Sequence, residues 1–226
     1  LGFIFPPART EPARGIVKGD VSFSLIKVTL DVFKVPSYLL LVFGFYVCGF
    51  HLAFITVHMP VYLADIGFSA SVGAVSISVI GLFNIFGAYY AGIFSDRALM
   101  SRILVIIYVA RAVVISLFLI LPKSIVSVLV FSALIGLLWL ATVPPTSGLV
   151  AKFFGTKYMT YLYGIVFFSH QVGSFTGVWL GGELYQRFGN YDGVWIAGII
   201  LGFIAALLHF YIDEQSYEYK ISTTVP

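Results

Sequence analysis

A bundle of six transmembrane helices is the fold this sequence predicts, and three observations predict it. Of its 226 residues, 60% are hydrophobic and only 10% charged, where a soluble domain carries about 25%. Mean hydropathy is +1.00. The charges also leave long gaps: 30 residues between Lys34 and Asp65, 30 between Asp65 and Asp96, and 28 between Lys123 and Lys152. Two more gaps hold 25 residues after Lys157 and 20 after Asp192, and residues 103–122 are interrupted only by Arg111. About 20 apolar residues cross the hydrocarbon core as a helix. Barrel strands of about ten alternating residues do not fit such runs. A soluble domain, a disordered chain and a secreted disulfide scaffold are excluded.

The elements follow in order. Residues 1–35 read as the end of a preceding apolar helix, stopped by Pro6-Pro7, and a charged linker. Within that linker, residues 24–33 suit a short amphipathic helix lying on the membrane. Pro36 then opens the bundle, residues 36–212, with spans near 37–63, 72–94, 103–121, 125–149, 159–184 and 193–212. Residues 213–226 form a tail. The loops at 65–69 and 122–124 are so short that the spans they join run antiparallel, side by side. A truncated helix, a basic linker and six spans predict the second half of a larger protein.

Charge sets the orientation. Ten basic residues (Arg9, Arg14, Lys18, Lys27, Lys34, Arg97, Arg102, Lys152, Lys157 and Lys220) fall on one side, and only Lys123 and Arg187 on the other. The positive-inside bias makes the first side cytoplasmic, with both ends of the segment there. Topology accounts for these cations, so no nucleic-acid partner is expected. Cys48 is the only cysteine, which leaves no internal disulfide and no cysteine-based metal site. No cofactor is expected.

Polar groups inside hydrocarbon are costly and face a bundle interior or a cavity. His170 lies 11 residues past Met159, about 16 Å into its span, on the face of Gly173, Gly177 and Gly181. It suits either a carboxylate or coupling-proton site or a hydrogen bond to a neighbouring helix. The glycine ladder itself reads as helix packing or as the path of a moving gate. Arg111, roughly 12 Å deep, could meet an anionic substrate, or it could pair with a carbonyl or Asp96. His51 and His58 share a face of the first span. His51 is placed mid-membrane, where it could touch a substrate or hold a neighbouring helix. His209 is placed at the interface. Asn84 puts a hydrogen-bonding head at depth in the second span. Pro144-Pro145 breaks the fourth span near its cytoplasmic end, as a kink or as the broken helix of a transporter.

The stretch Gly92-Ile93-Phe94-Ser95-Asp96-Arg97, with Arg102 after it, resembles the signature loop between helices of the major facilitator superfamily. In that family the Asp caps or bridges helix ends and the basic residues pair across the cytoplasmic gate. The second glycine and the consecutive basic pair of the motif are missing here. Gly182-Glu183-Leu184-Tyr185 through Gly189-Asn190-Tyr191-Asp192 is similar to the loop before the last helix of monocarboxylate transporters. Tyr163-Gly164 through Ser169-His170 is similar to the eleventh helix of oxalate/formate antiporters, with His170 at the place of a substrate-facing Lys. These families carry a carboxylate-binding Arg in their eighth helix. Residues 74–94 have none: Ala88 stands near its place, and Asn84 at that of an acidic partner.

The resemblance implies the C-terminal six helices of a twelve-helix secondary transporter in a bacterial inner membrane. Its partners would be the N-terminal six-helix half, the lipid bilayer and a small organic anion such as a monocarboxylate. Transport would proceed by alternating access, with proton symport allowed by the histidine. The implied substrate residues are His170, Asn84, His51 and Arg111, and the gating residues Gly92, Asp96, Arg97 and Arg102. Two other classes are weighed. A non-transporting receptor or subunit could keep the same fold. A rhomboid-like protease would pair Ser147 with His209, but it lacks the glycine before the serine, where Pro145 stands. No enzyme activity is expected.

Overall fold

A computed structural model describes residues 18–217, with side chains from residue 25 onward. Among the described residues there are eight helices and no strand: α1 (Lys18–Val32), α2 (Pro36–Asp65), α3 (Ala70–Ser95), α4 (Met100–Ile120), α5 (Ile125–Leu138), α6 (Val143–Phe154), α7 (Met159–Phe188) and α8 (Asp192–Phe210). The expected helix stub at residues 1–5 lies outside the described residues.

Among the described residues, five segments are long and apolar enough to cross a membrane: α2, α3, α4, α8 and the run Ile125–Phe154 that joins α5 to α6. The fifth of the six expected spans, α7, is 30 residues long but is not one of them. Its central stretch is uncharged without being apolar, because it carries Tyr161, Tyr163, Ser169, His170, Gln171, Ser174 and Thr176. It nevertheless runs parallel to α2 along its length. Tyr38 Oη donates to the Leu162 carbonyl at one end (2.8 Å), and His58 Nε2 donates to the Val178 carbonyl towards the other (3.0 Å).

The core holds large side chains such as Trp195, Tyr38 and Phe45, but α3 buries small residues and turns large ones outward. α3 buries Gly73, Ser76, Ile80, Gly87 and Ala91, while Leu82, Ile85, Phe86 and Tyr89 are exposed. In hydrocarbon, helix association comes from close packing rather than from hiding apolar surface, so this inversion is the expected one. Gly49, Gly173 and Gly177 let α2 and α7 touch backbone to backbone. A Cβ on Gly173 would overlap the Tyr46 carbonyl, and one on Gly49 the His170 carbonyl. Of the two readings of the glycine ladder, packing is what these contacts make.

The largest helix contacts are α2 with α7, α3 with α5, and α4 with α8. Exchanging α2, α3, α4 for α5/α6, α7, α8 maps this set of pairs onto itself. α2 and α5 also enter from opposite ends, so the bundle is two inverted three-helix repeats. The sequence alone did not reveal this symmetry.

α1 spans more than the expected residues 24–33. Its Val28 and Val32 are buried in the bundle core, Thr29 is hydrogen-bonded to Tyr161 Oη (2.7 Å), and Ile26 and Leu30 stay exposed. The start of the tail is docked as well. Glu214 Oε1 accepts from the Ser101 amide at the start of α4 (2.6 Å), and Oε2 pairs with Lys152 at the end of α6 (2.8 Å). The Tyr217 amide donates to the Phe153 carbonyl (2.6 Å). α4 has no capping side chain of its own, so Glu214 supplies an anion where the helix dipole favours one.

Burial pushes the Glu214 carboxyl up, but Lys152 and Ser101 outweigh it and hold it below its ordinary 4.5. A depressed folded value means the clamp is present at neutral pH and is lost as pH falls through that lowered value. Glu214→Gln is expected to destabilise the chain by about 1 kcal/mol at pH 7, roughly 2–4 °C in melting temperature. The gap to the unsubstituted chain should begin to narrow near pH 4.5 and close once the pH has fallen through the lowered value.

Candidate functional site: the break in the fourth span

A helix that stops in mid-membrane leaves its last carbonyls and the next amides without partners, and lipid offers them none. The fourth span does stop. α5 ends at Leu138 and α6 begins at Val143, with proline in its first turn, where the missing N–H is harmless. The break is central, not near the end of the span as expected, because the helix resumes at Val143, takes the prolines into its first turn and runs on to Phe154.

Side chains from two helices satisfy the broken backbone, and one from a third meets a side chain of the break. From α4, Arg111 Nε donates to the Leu138 carbonyl (3.1 Å), and Nη2 reaches the carbonyls of Leu138 and Trp139. From α3, Asn84 Oδ1 accepts from the Leu140 amide (2.9 Å). From α2, Cys48 Sγ meets Thr142 Oγ1 at 3.2 Å. Arg111 is 2% exposed and has no carboxylate partner among the described residues. The negative ends of peptide dipoles at the α5 terminus face its charge instead. Of its two sequence readings, the carbonyl partner is realised, and Asp96 plays no part.

His170 joins this cluster at its edge. Its ring stacks on Phe167 (5.3 Å between centroids) and lies 5.1 Å from Phe45, close enough to the Cys48 thiol for an electrostatic interaction. Its Nδ1 is buried without a partner, as are Arg111 Nη1 and Thr146 Oγ1. Alone among the four histidines, its ring bonds no carbonyl of the described residues. His51 faces away towards α8, where Nε2 donates to the Gly198 carbonyl (2.7 Å). His209, expected at the interface, is fully buried. Its Nδ1 donates to the Ala205 carbonyl (2.7 Å) and its ring stacks on Tyr108 (4.9 Å). The reason is Gly44, whose missing side chain leaves room for the His209 ring. Ser147 bonds the Pro144 carbonyl (3.0 Å), so serine and histidine make no catalytic pair.

Three of the four expected substrate residues, His170, Asn84 and Arg111, thus gather round the break, and His51 does not. Cys48 and Thr142 belong to the cluster and carried no sequence signal beyond lying near His51 and the prolines. The expected gating residues sit at the turn between α3 and α4. Asp96 and Arg97 are exposed and enter no ion pair among the described residues. Arg102 lies 4.2 Å over the Phe210 ring, and Gly92 faces open space.

The Major Facilitator Superfamily model matches residues 1–176, more than three quarters of the chain. The chain belongs to the major facilitator superfamily. Superfamily members are membrane transporters rather than enzymes, and the apolar helices make this chain an integral membrane protein. Inverted three-helix repeats are how each six-helix half of a major facilitator protein is built. No curated protein matches the chain.

Proposed function

We propose that this chain is one half of a secondary transporter that moves a small organic anion, of the monocarboxylate class, by proton-coupled alternating access. The observation that carries this reading is the charge of the buried cluster. It holds Arg111 and His170, while the nearest carboxylates in sequence order lie at span ends: Asp65, Asp96, Glu183 and Asp192. A site built this way favours an anion. His170 is its adjustable member, with a ring free of carbonyl bonds and a buried Nδ1 open to a proton or a carboxylate. On this reading the basic end of the bundle is cytoplasmic, and an N-terminal six-helix half completes the site across the exposed faces of α3 and α7. The membrane would be a bacterial inner membrane.

The test is uptake of radiolabelled formate, lactate and oxalate by the full-length protein in liposomes. Uptake should rise with an inward proton gradient, and His170→Ala should lower it at least about tenfold, the worth of one charge-assisted hydrogen bond. Uptake indifferent to pH, or unchanged in His170→Ala, would overturn the site. The second reading, a non-transporting subunit, draws on the bonds that already occupy most donors of Arg111 and His51. It predicts no uptake of any anion.

A further inference from the structure

A crevice opens between α3, α4 and the α5–α6 break, with a volume of about 460 Å³. Tyr90, Phe94, Ala98, Ile106, Leu138 and Ala141 are among the residues that line it. Every lining side chain is apolar or aromatic, so nothing inside would orient a water-soluble ligand, which needs a few placed polar groups. Phe94 and Ile106 are more than half exposed. The crevice lies about a third of a turn round α3 from the face carrying Leu82, Phe86 and Tyr89, which is the face left to the other half.

The mouth of the crevice is charged. Arg97 adjoins Ala98 in sequence, and Arg102 lies one helical turn before Ile106 on α4, its guanidinium resting on the Phe210 ring of α8, from which it must swing to face the crevice. Neither arginine is paired with an acid among the described residues. Asp96 is the one acid in the turn, exposed at the end of α3. Glu214, at the start of α4, is already committed to Ser101 and Lys152. The mouth is therefore net positive, at the level where a helix pair leaves the hydrocarbon.

We infer that this crevice binds one anionic phospholipid, with an acyl chain between α3 and α4 and its phosphate at Arg97 and Arg102. Basic pockets between transmembrane helices hold anionic headgroups in this way. The bound chain would press on Leu138, whose carbonyl is the acceptor for Arg111, so occupancy supports the break.

Native mass spectrometry of the purified full-length protein tests this, with phosphatidylglycerol and phosphatidylcholine of identical chains as probes. Phosphatidylglycerol should be retained as a single adduct in preference to phosphatidylcholine. Arg97→Gln and Arg102→Gln should each weaken that retention about fivefold. Ala98→Trp, which fills the crevice without touching charge, should abolish the adduct while leaving the protein folded by melting temperature. Equal retention of the two lipids, an adduct that survives Ala98→Trp, or equally tight binding of chainless glycerol phosphate would each overturn the site. A misfolded Ala98→Trp leaves the arginine series and the lipid pair to decide.

Discussion

Gly173→Val is expected to separate α2 from α7 and to leave little folded protein in detergent. The smallest added side-chain atom at this position would overlap the Tyr46 carbonyl, with the Phe50 amide just behind it. Both are helical backbone and cannot swing aside as a side chain could. The helices must part along their whole contact, the largest in the bundle. That would also strain the Tyr46–Thr176 hydroxyl bond (2.6 Å) and the Ser169 bond to the Val42 carbonyl (2.7 Å). Overpacking a dense core costs about 1–3 kcal/mol and sometimes more, and backbone overlap puts this site at the upper end. The same helix holds its own controls. Gly164 and Gly182 face open space, so alanine at either should leave stability unchanged or raise it by up to about 1 kcal/mol. Melting temperatures of the three variants decide the matter. A Gly173→Val chain as stable as Gly164→Ala would mean that the α2–α7 contact is not close in solution.

The gaps in charge announced where the helices are, because each uncharged run had only one way to satisfy its backbone in lipid. They could not distinguish uncharged from apolar, which is why α7 read as an ordinary span. Its hydroxyls and histidine are tolerable because α2 covers one side of it. Proline positions were misleading for a different reason. Pro144 and Pro145 mark where a helix can begin as well as where one ends, and only the continuation to Phe154 places the break at mid-span. Arg111, Asn84 and His170 were legible as costly residues at depth, since hydrocarbon gives such residues few reasons to exist. Their convergence was not legible. It depends on which way three separate helices turn, and no sequence period in one helix carries that information. Cys48 and His209 show the limit most plainly: one reads only as a lone cysteine without a disulfide partner, and the other as interfacial. Each owes its surroundings to a distant part of the chain, Thr142 in the break in the first case and Gly44 on α2 in the second.

Arg111→Met should be among the most destabilising substitutions in the chain, and its pattern of rescue separates a structural from a substrate-facing arginine. Methionine has similar reach but no donor, so the carbonyls of Leu138 and Trp139 lose the partners they have. A buried polar group left unpaired costs about 1–3 kcal/mol, and two carbonyls at a helix end in hydrocarbon make about 3 kcal/mol or more a reasonable sum. Arg111→Lys keeps the charge on a single head that cannot span both carbonyls as the guanidinium fork does. It should therefore recover only part of the stability. Asn84→Ala provides the companion measurement. It frees the Leu140 amide on the other side of the same break, and because both residues hold one segment their effects should not add. If the double variant loses much less than the sum of the single ones, the break behaves as one cooperative unit. Full additivity, or an Arg111→Met chain that melts with the unsubstituted protein, would mean that the arginine does not hold the break. Anion binding to the stable Arg111→Lys chain then supplies the functional half of the test. An arginine committed to backbone carbonyls should affect substrate affinity only as far as the break itself loosens, so affinity should follow melting temperature across the series. A loss of affinity in Arg111→Lys without a matching loss of stability would instead assign Nη1, the one nitrogen of the side chain that is buried and unpartnered, to the anion.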